Sequence, residues 1–318
     1  MSNIKDIQRR IKSVNSTRKI TKAMEMVAAA KMRKAIEAVL KTRTYANLSW
    51  ETVLNLANSL NVSHPLLTKG KTESKKKVAM ILISSNRGLC GGYNTNIINK
   101  AHKSIIKYQE AEGVETDFII IGRKGIKVNK YYGYNVVADF PKEDIISEIN
   151  EVYAVSKMVI DSFIDGSYDK IMVAYTDFVN PAKQIPRIKQ LLPVDIEAED
   201  NELGVVGKDT RVGTTKEFVA EKEKKHLKNG IKYEYIFEPS PAEVLDELVP
   251  RLIEVQLFQA LLEANASEHS ARMTAMHQAN DAASDLVDDL TLFYNKARQA
   301  SITNEIAEIA AGAEALSD

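Results

Sequence analysis

Residues 19–35, KITKAMEMVAAAKMRKA, hold five alanines, three methionines and five basic residues against one acid. They contain no catalytic pair, no metal-ligand spacing and no glycine loop. They lie within Met1 to His64, a segment without a single glycine or proline, and a second such segment runs from Arg251 to Ala311. Gly and Pro are the strongest helix punctuators. Each segment therefore reads as a helix of about sixty residues, roughly 90 Å at ~1.5 Å per residue, more than a compact domain spans.

Apolar spacing supports both helices. Ile4, Ile7, Ile11 and Val14 step by three and four, and Ala46, Trp50, Val53, Ala57 and Leu60 resume the pattern beyond the alanine-rich stretch. Near the other end, Val255, Phe258, Leu262, Ala266, His269, Met273 and Met276 give one row, and Ala283, Leu286, Leu290, Phe293 and Ala297 give another. A periodicity this long argues for a coiled coil. Charge says what pairs with what: residues 1–46 carry twelve Lys/Arg and three Asp/Glu, residues 251–318 four and eleven, although the whole chain is neutral. The two ends are complementary and are expected to pair. The second helix has a marked start in Ser240-Pro241-Ala242-Glu243, a capping box with proline at the first helical position. Pro250 is expected to kink or break it.

Between the helices the texture changes. VAMILISS (78–85), DFIIIG (117–122), YNVVADF (134–140) and KIMVAYTDF (170–178) read as strands, alternating with helical patterns near 95–110 and 144–164. This is the rhythm of an α/β layer with a partly parallel sheet. QIPRIKQLLPV (184–194) and KYEYIFE (232–238) read as further strands, the first at an edge because prolines interrupt it. Residues 195–230 are highly charged, without core periodicity, and read as a surface insertion. The segments are then 1–64, an N-terminal coiled-coil helix; 75–239, a central Rossmann-like α/β domain; and 240–318, a C-terminal coiled-coil helix.

Local motifs for chemistry do not survive their spacing. SSNRGLCGGYNTN (84–96) is a glycine-rich turn between strand and helix, a place where backbone N–H groups can cradle phosphate. Gly88, Gly91 and Gly92 fit neither nucleotide-binding fingerprint, and tight turns account for them, as for Gly122 and Gly125. Cys90, the single cysteine, has no histidine nearby in sequence and reads as a small buried hydrophobe; it excludes an internal disulfide. His269 and His277 stand eight apart rather than four, so metal binding is not expected. The basic N-terminal helix offers phosphate contacts, but aromatic residues are absent before Tyr45 and the acidic C-terminal segment is an internal partner, which leaves nucleic acid as the rival reading. No run of uncharged apolar residues is long enough to span a bilayer, and MSNIKDIQRR lacks a secretory core.

TRKITKAMEMVAAAKMRKA near the start, SSNRGLCGGYN at the first strand-to-helix turn, and EPSPAEVLDELVPRLIEVQLFQALLEANASEHSARMTAMHQAND followed by LTLFYNKARQASITNEIAEI resemble the gamma chain of the F-type ATP synthase. The resemblance covers nearly the whole chain; only residues 195–230 are longer and more charged than is usual there. It implies an antiparallel coiled coil of the two terminal helices, the central-stalk shaft, which turns inside the ring of alpha and beta subunits, with the α/β domain at the lower part beside the epsilon subunit and the membrane-embedded c-ring. Torque passes between the proton-driven ring and the catalytic hexamer. Carried over by position, Lys22, Met24 and Met26, with Gln256 and Arg272 in the matching C-terminal helix, face the alpha and beta subunits. No residue is expected to be catalytic, to bind a cofactor, metal or small-molecule substrate, or to contact nucleic acid. The expected location is the cytoplasmic face of a bacterial inner membrane, as a peripheral protein. The alternative is a free-standing coiled-coil scaffold or nucleic-acid-binding protein.

Overall fold

The computed structural model describes residues 4–60, 64–67, 77–146, 148–194 and 240–315. Its elements run α1 (Ile4–Leu60), β1 (Lys77–Ile83), α2 (Tyr93–Glu112), β2 (Glu115–Ile121), α3 (Lys127–Tyr132), β3 (Asn135–Phe140), α4 (Asn150–Ile164), β4 (Lys170–Asn180), β5 (Lys183–Leu192) and α5 (Pro241–Ala315). The chain divides into two compact units, Met1–Ala28 with Arg272–Asp318, and Ala29–Ala271. Both long helices are present as continuous elements of 57 and 75 residues.

In the first unit α1 and α5 are antiparallel. Arg18 donates to the Ser284 hydroxyl at 3.4 Å, and one heptad further along α1 Glu25 faces His277 at 3.4 Å, one heptad earlier on α5. Covered positions on α1 recur at Ile4, Ile7, Ile11, Val14, Arg18, Thr21, Glu25 and Ala28, the alternating three and four of a coiled-coil seam. The facing seam takes Met276, Asn280, Ala283, Val287, Leu290, Tyr294 and Ala297. This corrects part of the expected row: Leu286 is 47% and Phe293 59% exposed, and Val287 and Tyr294 take their places. Two adjacent rows of α5 are apolar, and a single partner helix covers only one. The acids Asp281, Asp285, Asp288 and Asp289 are exposed, so the opposite charges of the two segments act through their summed fields.

The second unit is a layered α/β structure. Its sheet has the order β3-β2-β1-β4-β5, parallel except for the antiparallel β4–β5 pair at the edge. Strand β1 reads KVAMILI and β2 ETDFIII because both faces are covered: Met80, Leu82, Phe118 and Ile120 pack on α2 through Ile97, Ala101 and Ile105, while Ile81, Ile83, Ile119 and Ile121 pack toward α4 and α5. At the strand beginnings the buried Asp117 carboxylate accepts from Lys77 Nζ at 2.9 Å, Asn135 at 2.8 Å and the Tyr168 hydroxyl at 3.0 Å. Burial opposes its charge, yet these donors hold the carboxyl below its ordinary range. Burial and the same carboxylate push the Tyr168 phenol up to about 12.

Three expectations meet corrections or limits here. Helix α4 begins at Asn150, not near 144, because the Asp144 carbonyl accepts from Asn265 and His269 instead of starting a helical ladder. Helix α5 passes through Pro250 without a break, since Leu245, Val249, Leu252 and Ile253 around it are all buried and packing outweighs the lost backbone bond. At its start half of the expected capping box is in place, the Glu243 N–H donating to Ser240 Oγ at 3.3 Å, while the Glu243 carboxylate accepts from the Ser240 hydroxyl at 2.9 Å. KYEYIFE, the insertion 195–230 and the side chains of Ala46 to Leu60 lie outside the described residues.

Candidate partner-facing surface

The C-terminal ends of β1 and β4 are where a doubly wound sheet binds a ligand, because the chain order reverses there and leaves a crevice. In this protein α5 fills it. The Tyr93 hydroxyl, at the start of α2, donates to the Ala264 carbonyl at 3.1 Å, and Ser267 Oγ donates to the Thr176 carbonyl at 3.0 Å at the end of β4. Lys142 forms a buried ion pair with Glu268, and Asn86 from the glycine-rich turn donates to the Lys142 carbonyl. All residues from Leu257 to Ser270 are buried, so this part of α5 is covered on every side, not along one row as its periodicity implied. The glycine-rich turn is thus a packing surface for the protein's own helix. Cys90 is buried within it, and its sulfur accepts from Asn94 Nδ2 at 3.2 Å.

A polar clasp joins the 141–146 loop to both long helices within the second unit. Lys31 of α1 donates to Asp144 Oδ2 at 2.8 Å, and His269 Nε2 of α5 donates to the Asp144 carbonyl at 2.9 Å. The Lys31 ammonium holds the Asp144 carboxyl below its ordinary range, with smaller help from Arg87 and His269. A depressed carboxyl contributes stability that is present above its unfolded pKa of about 4 and lost as pH falls through the lower folded value. Lys31→Met should therefore lower the urea midpoint at neutral pH, and its deficit relative to the parent should vanish on acidification. A deficit that persists unchanged at pH 2 would assign the effect to packing.

The residues singled out by sequence do not form one patch. Lys22 and Met26 lie four apart on the exposed face of α1; Lys22 pairs with Glu25 at 3.1 Å and Met26 is 58% exposed. Met24 instead turns toward the seam and is half-buried, as is Arg272 on α5. Gln256, also half-buried, belongs to the second unit. The larger exposed apolar surface was not singled out. It comprises Ile20 and Val27 beside Met26, and Leu286, Leu292, Phe293, Ile302, Ile306 and Ile309 on α5, the last 73% exposed. Leu286 and Phe293 belong to the second apolar row of α5, which one partner helix cannot cover, whereas Ile302, Ile306 and Ile309 lie on α5 beyond the register position that faces Ile4, the start of α1. Exposed apolar side chains such as Leu286 and Phe293, one heptad apart on one row, suit contact with a partner protein.

A two-helix coil with an uncovered apolar face and a plugged switch point defines a subunit that works by contact with partners. A protein-family model described as ATP synthase matches residues 3–316. An ATP synthase gamma chain from Pelotomaculum thermopropionicum is 41% identical over 99% of this chain and 100% of its own length, and one from Legionella pneumophila strain Corby is 38% identical over the same shares. The chain belongs to the ATP synthase gamma chain family. Solved structures share the fold: a chain of the Euglena gracilis mitochondrial ATP synthase (OSCP/F1/c-ring, rotational state 3) at 18% identity, TM-score 0.61, covering 98% of this chain and 94% of that one, and a chain of the Tetrahymena thermophila mitochondrial enzyme (central stalk and c-ring) at 21%, TM-score 0.57, covering 82% and 99%.

Proposed function

We propose that this gamma-chain family member is a non-catalytic rotor whose exposed α1 face at Lys22 and Met26 is a bearing surface. As a gamma chain it serves in the central stalk of an ATP synthase and passes torque between the membrane ring and the catalytic hexamer. Its partners in this role are the alpha and beta subunits around the helical pair, and the epsilon subunit and c-ring at the membrane. The observation that carries the reading is the helical pair itself, which keeps apolar side chains such as Ile20, Met26, Val27, Leu286 and Phe293 exposed outside its seam. Methionine and alanine suit a surface that meets three different neighbours in each turn, because an unbranched, polarisable side chain repacks at little cost. The plugged switch point supports the non-catalytic part, since the crevice that would take a nucleotide is occupied by α5.

No helix of the described residues is long and apolar enough to cross a membrane, and the reading places the chain on the cytoplasmic face of a bacterial membrane, peripheral to the bilayer. The test reconstitutes the complex in vesicles with Met26→Asp and compares ATP-driven proton pumping with hydrolysis. The expected result is fewer protons pumped per ATP and a higher activation energy for hydrolysis, while the isolated variant keeps its helix content. Unchanged coupling would remove Met26 from the bearing. Met24→Lys should act differently, lowering the stability of the free chain as well, because Met24 is turned toward the seam. Tight ATP binding by the isolated parent chain would overturn the non-catalytic reading.

A further inference from the structure

The sheet face of the second unit that carries the first four turns of α2 and the whole of α3 is basic. Residues 93–108 and 122–137 contain no Asp or Glu, yet they present Lys100, Lys103, Lys107, Arg123, Lys127 and Lys130, all exposed. None of the six forms an ion pair among the described residues. The two segments are locked into one surface. His102 of α2 stacks on Tyr132 of α3 with ring centroids 3.7 Å apart, the Tyr132 hydroxyl donates to Asn99 at 2.9 Å, and His102 Nδ1 meets the Tyr134 hydroxyl at 2.9 Å. Among the cations stand Tyr131, 60% exposed, Ile126, 53%, and Ile106, 36%.

We propose that this face docks on an anionic phospholipid surface. Six exposed cations supply the complementary charge, each worth roughly a fivefold gain in partitioning near such a surface. An exposed tyrosine and isoleucines between lysines are the composition that settles at the headgroup boundary, with the apolar parts inward and the charges in water. A nucleic acid would need open aromatic faces for stacking, and here the His102 and Tyr132 rings cover one another while Lys127 Nζ lies 5.9 Å from the Tyr131 ring centroid. A fluid lipid surface has no fixed angular pattern, so the contact does not oppose rotation. The inference is independent of the bearing surface on α1.

The chain has one tryptophan, Trp50, so Trp50→Phe with Tyr131→Trp places the only indole on the proposed face. Mixed with phosphatidylcholine vesicles containing ~30% phosphatidylglycerol, the full chain should show a blue-shifted emission that is absent with phosphatidylcholine alone and lost in ~0.5 M salt. Adding Lys103→Glu, Lys127→Glu and Lys130→Glu should lower partitioning roughly a hundredfold or more at unchanged helix content. In the chain with Trp50 and Tyr131 intact, Lys100→Gln with Lys107→Gln should weaken vesicle co-sedimentation in the same direction. Co-sedimentation without an indole shift would assign binding to the basic α1 and overturn the proposal. A shift of the same size with soluble polyglutamate in place of vesicles would overturn it in favour of an acidic polypeptide partner, and the absence of any shift would overturn it outright.

Discussion

Lys142→Met should lower the stability of the second unit by about 3–5 kcal/mol, the usual effect of removing one member of a buried ion pair. The Lys142 ammonium is 2% and the Glu268 carboxylate 4% exposed, so neither has water to fall back on. The pair also holds a junction. Lys142 precedes the Asp144 clasp, its carbonyl accepts from Asn86 of the glycine-rich turn, and Glu268 lies on the part of α5 that fills the switch-point crevice. A methionine of similar length keeps most of the packing and leaves the carboxylate to be desolvated without its ammonium. The double substitution Lys142→Met with Glu268→Leu removes both charges and should recover most of the loss, because an apolar pair in such a place is often as stable as an ionic one. Urea denaturation of the four chains in a double-mutant cycle reads the coupling directly. A single substitution that costs less than about 1 kcal/mol, the scale of an exposed pair, would show that water reaches the carboxylate.

The same junction shows what the sequence carried and what it did not. Both long helices were legible because two segments lack glycine and proline entirely, and the strands were legible because β-branched runs such as DFIIIG have a length and texture of their own. The environment of α5 was not. FQALLEANASEHS looks amphipathic, with Gln259, Glu263, Asn265 and Glu268 off the apolar row in the places of a solvated face, yet all four are buried, as is His269 within the row. Their surroundings come from far away in sequence: Thr42 meets Gln259, Lys142 meets Glu268, and the Asp144 carbonyl meets Asn265 and His269. No local pattern encodes that. Nor does spacing alone decide between two adjacent apolar rows on α5, because the choice of Val287 and Tyr294 over Leu286 and Phe293 belongs to the register with α1. Of the residues carried over from the family resemblance, Met26 is exposed and Met24 turns inward, a difference of two positions along a helix that a motif match does not resolve.

Glycine in the turns after β1 and β2 offers the sharpest contrast between motif and structure. Gly122→Ala should destabilise by roughly 3 kcal/mol or more, a strained backbone combined with a steric clash. Gly122 has φ 96°, a conformation that L side chains rarely adopt, and a Cβ there would stand 2.3 Å from the Ser84 carbonyl oxygen and 2.8 Å from its carbon. Backbone must move, and it is held on three sides: Gly122 N–H donates to Phe140 O at 3.0 Å, Ser84 N–H to Ile121 O at 2.8 Å, and the Ser84 hydroxyl to Gly122 O at 2.6 Å. The ends of β1, β2 and β3 therefore meet at one point that leaves no room for a methyl group. Gly88, which belongs to the more conspicuous SSNRGLCGG turn, has nothing within 4 Å of a built Cβ and no positive φ. Gly88→Ala should change stability by no more than about 0.5 kcal/mol. The pair of urea midpoints separates two explanations of the glycines. If they serve close approach between strand ends, only Gly122→Ala shifts the midpoint. If the 84–96 turn instead must stay open for a phosphate, Gly88→Ala leaves stability alone but abolishes ATP binding by the free chain, and that outcome would return a nucleotide site to a crevice that α5 fills.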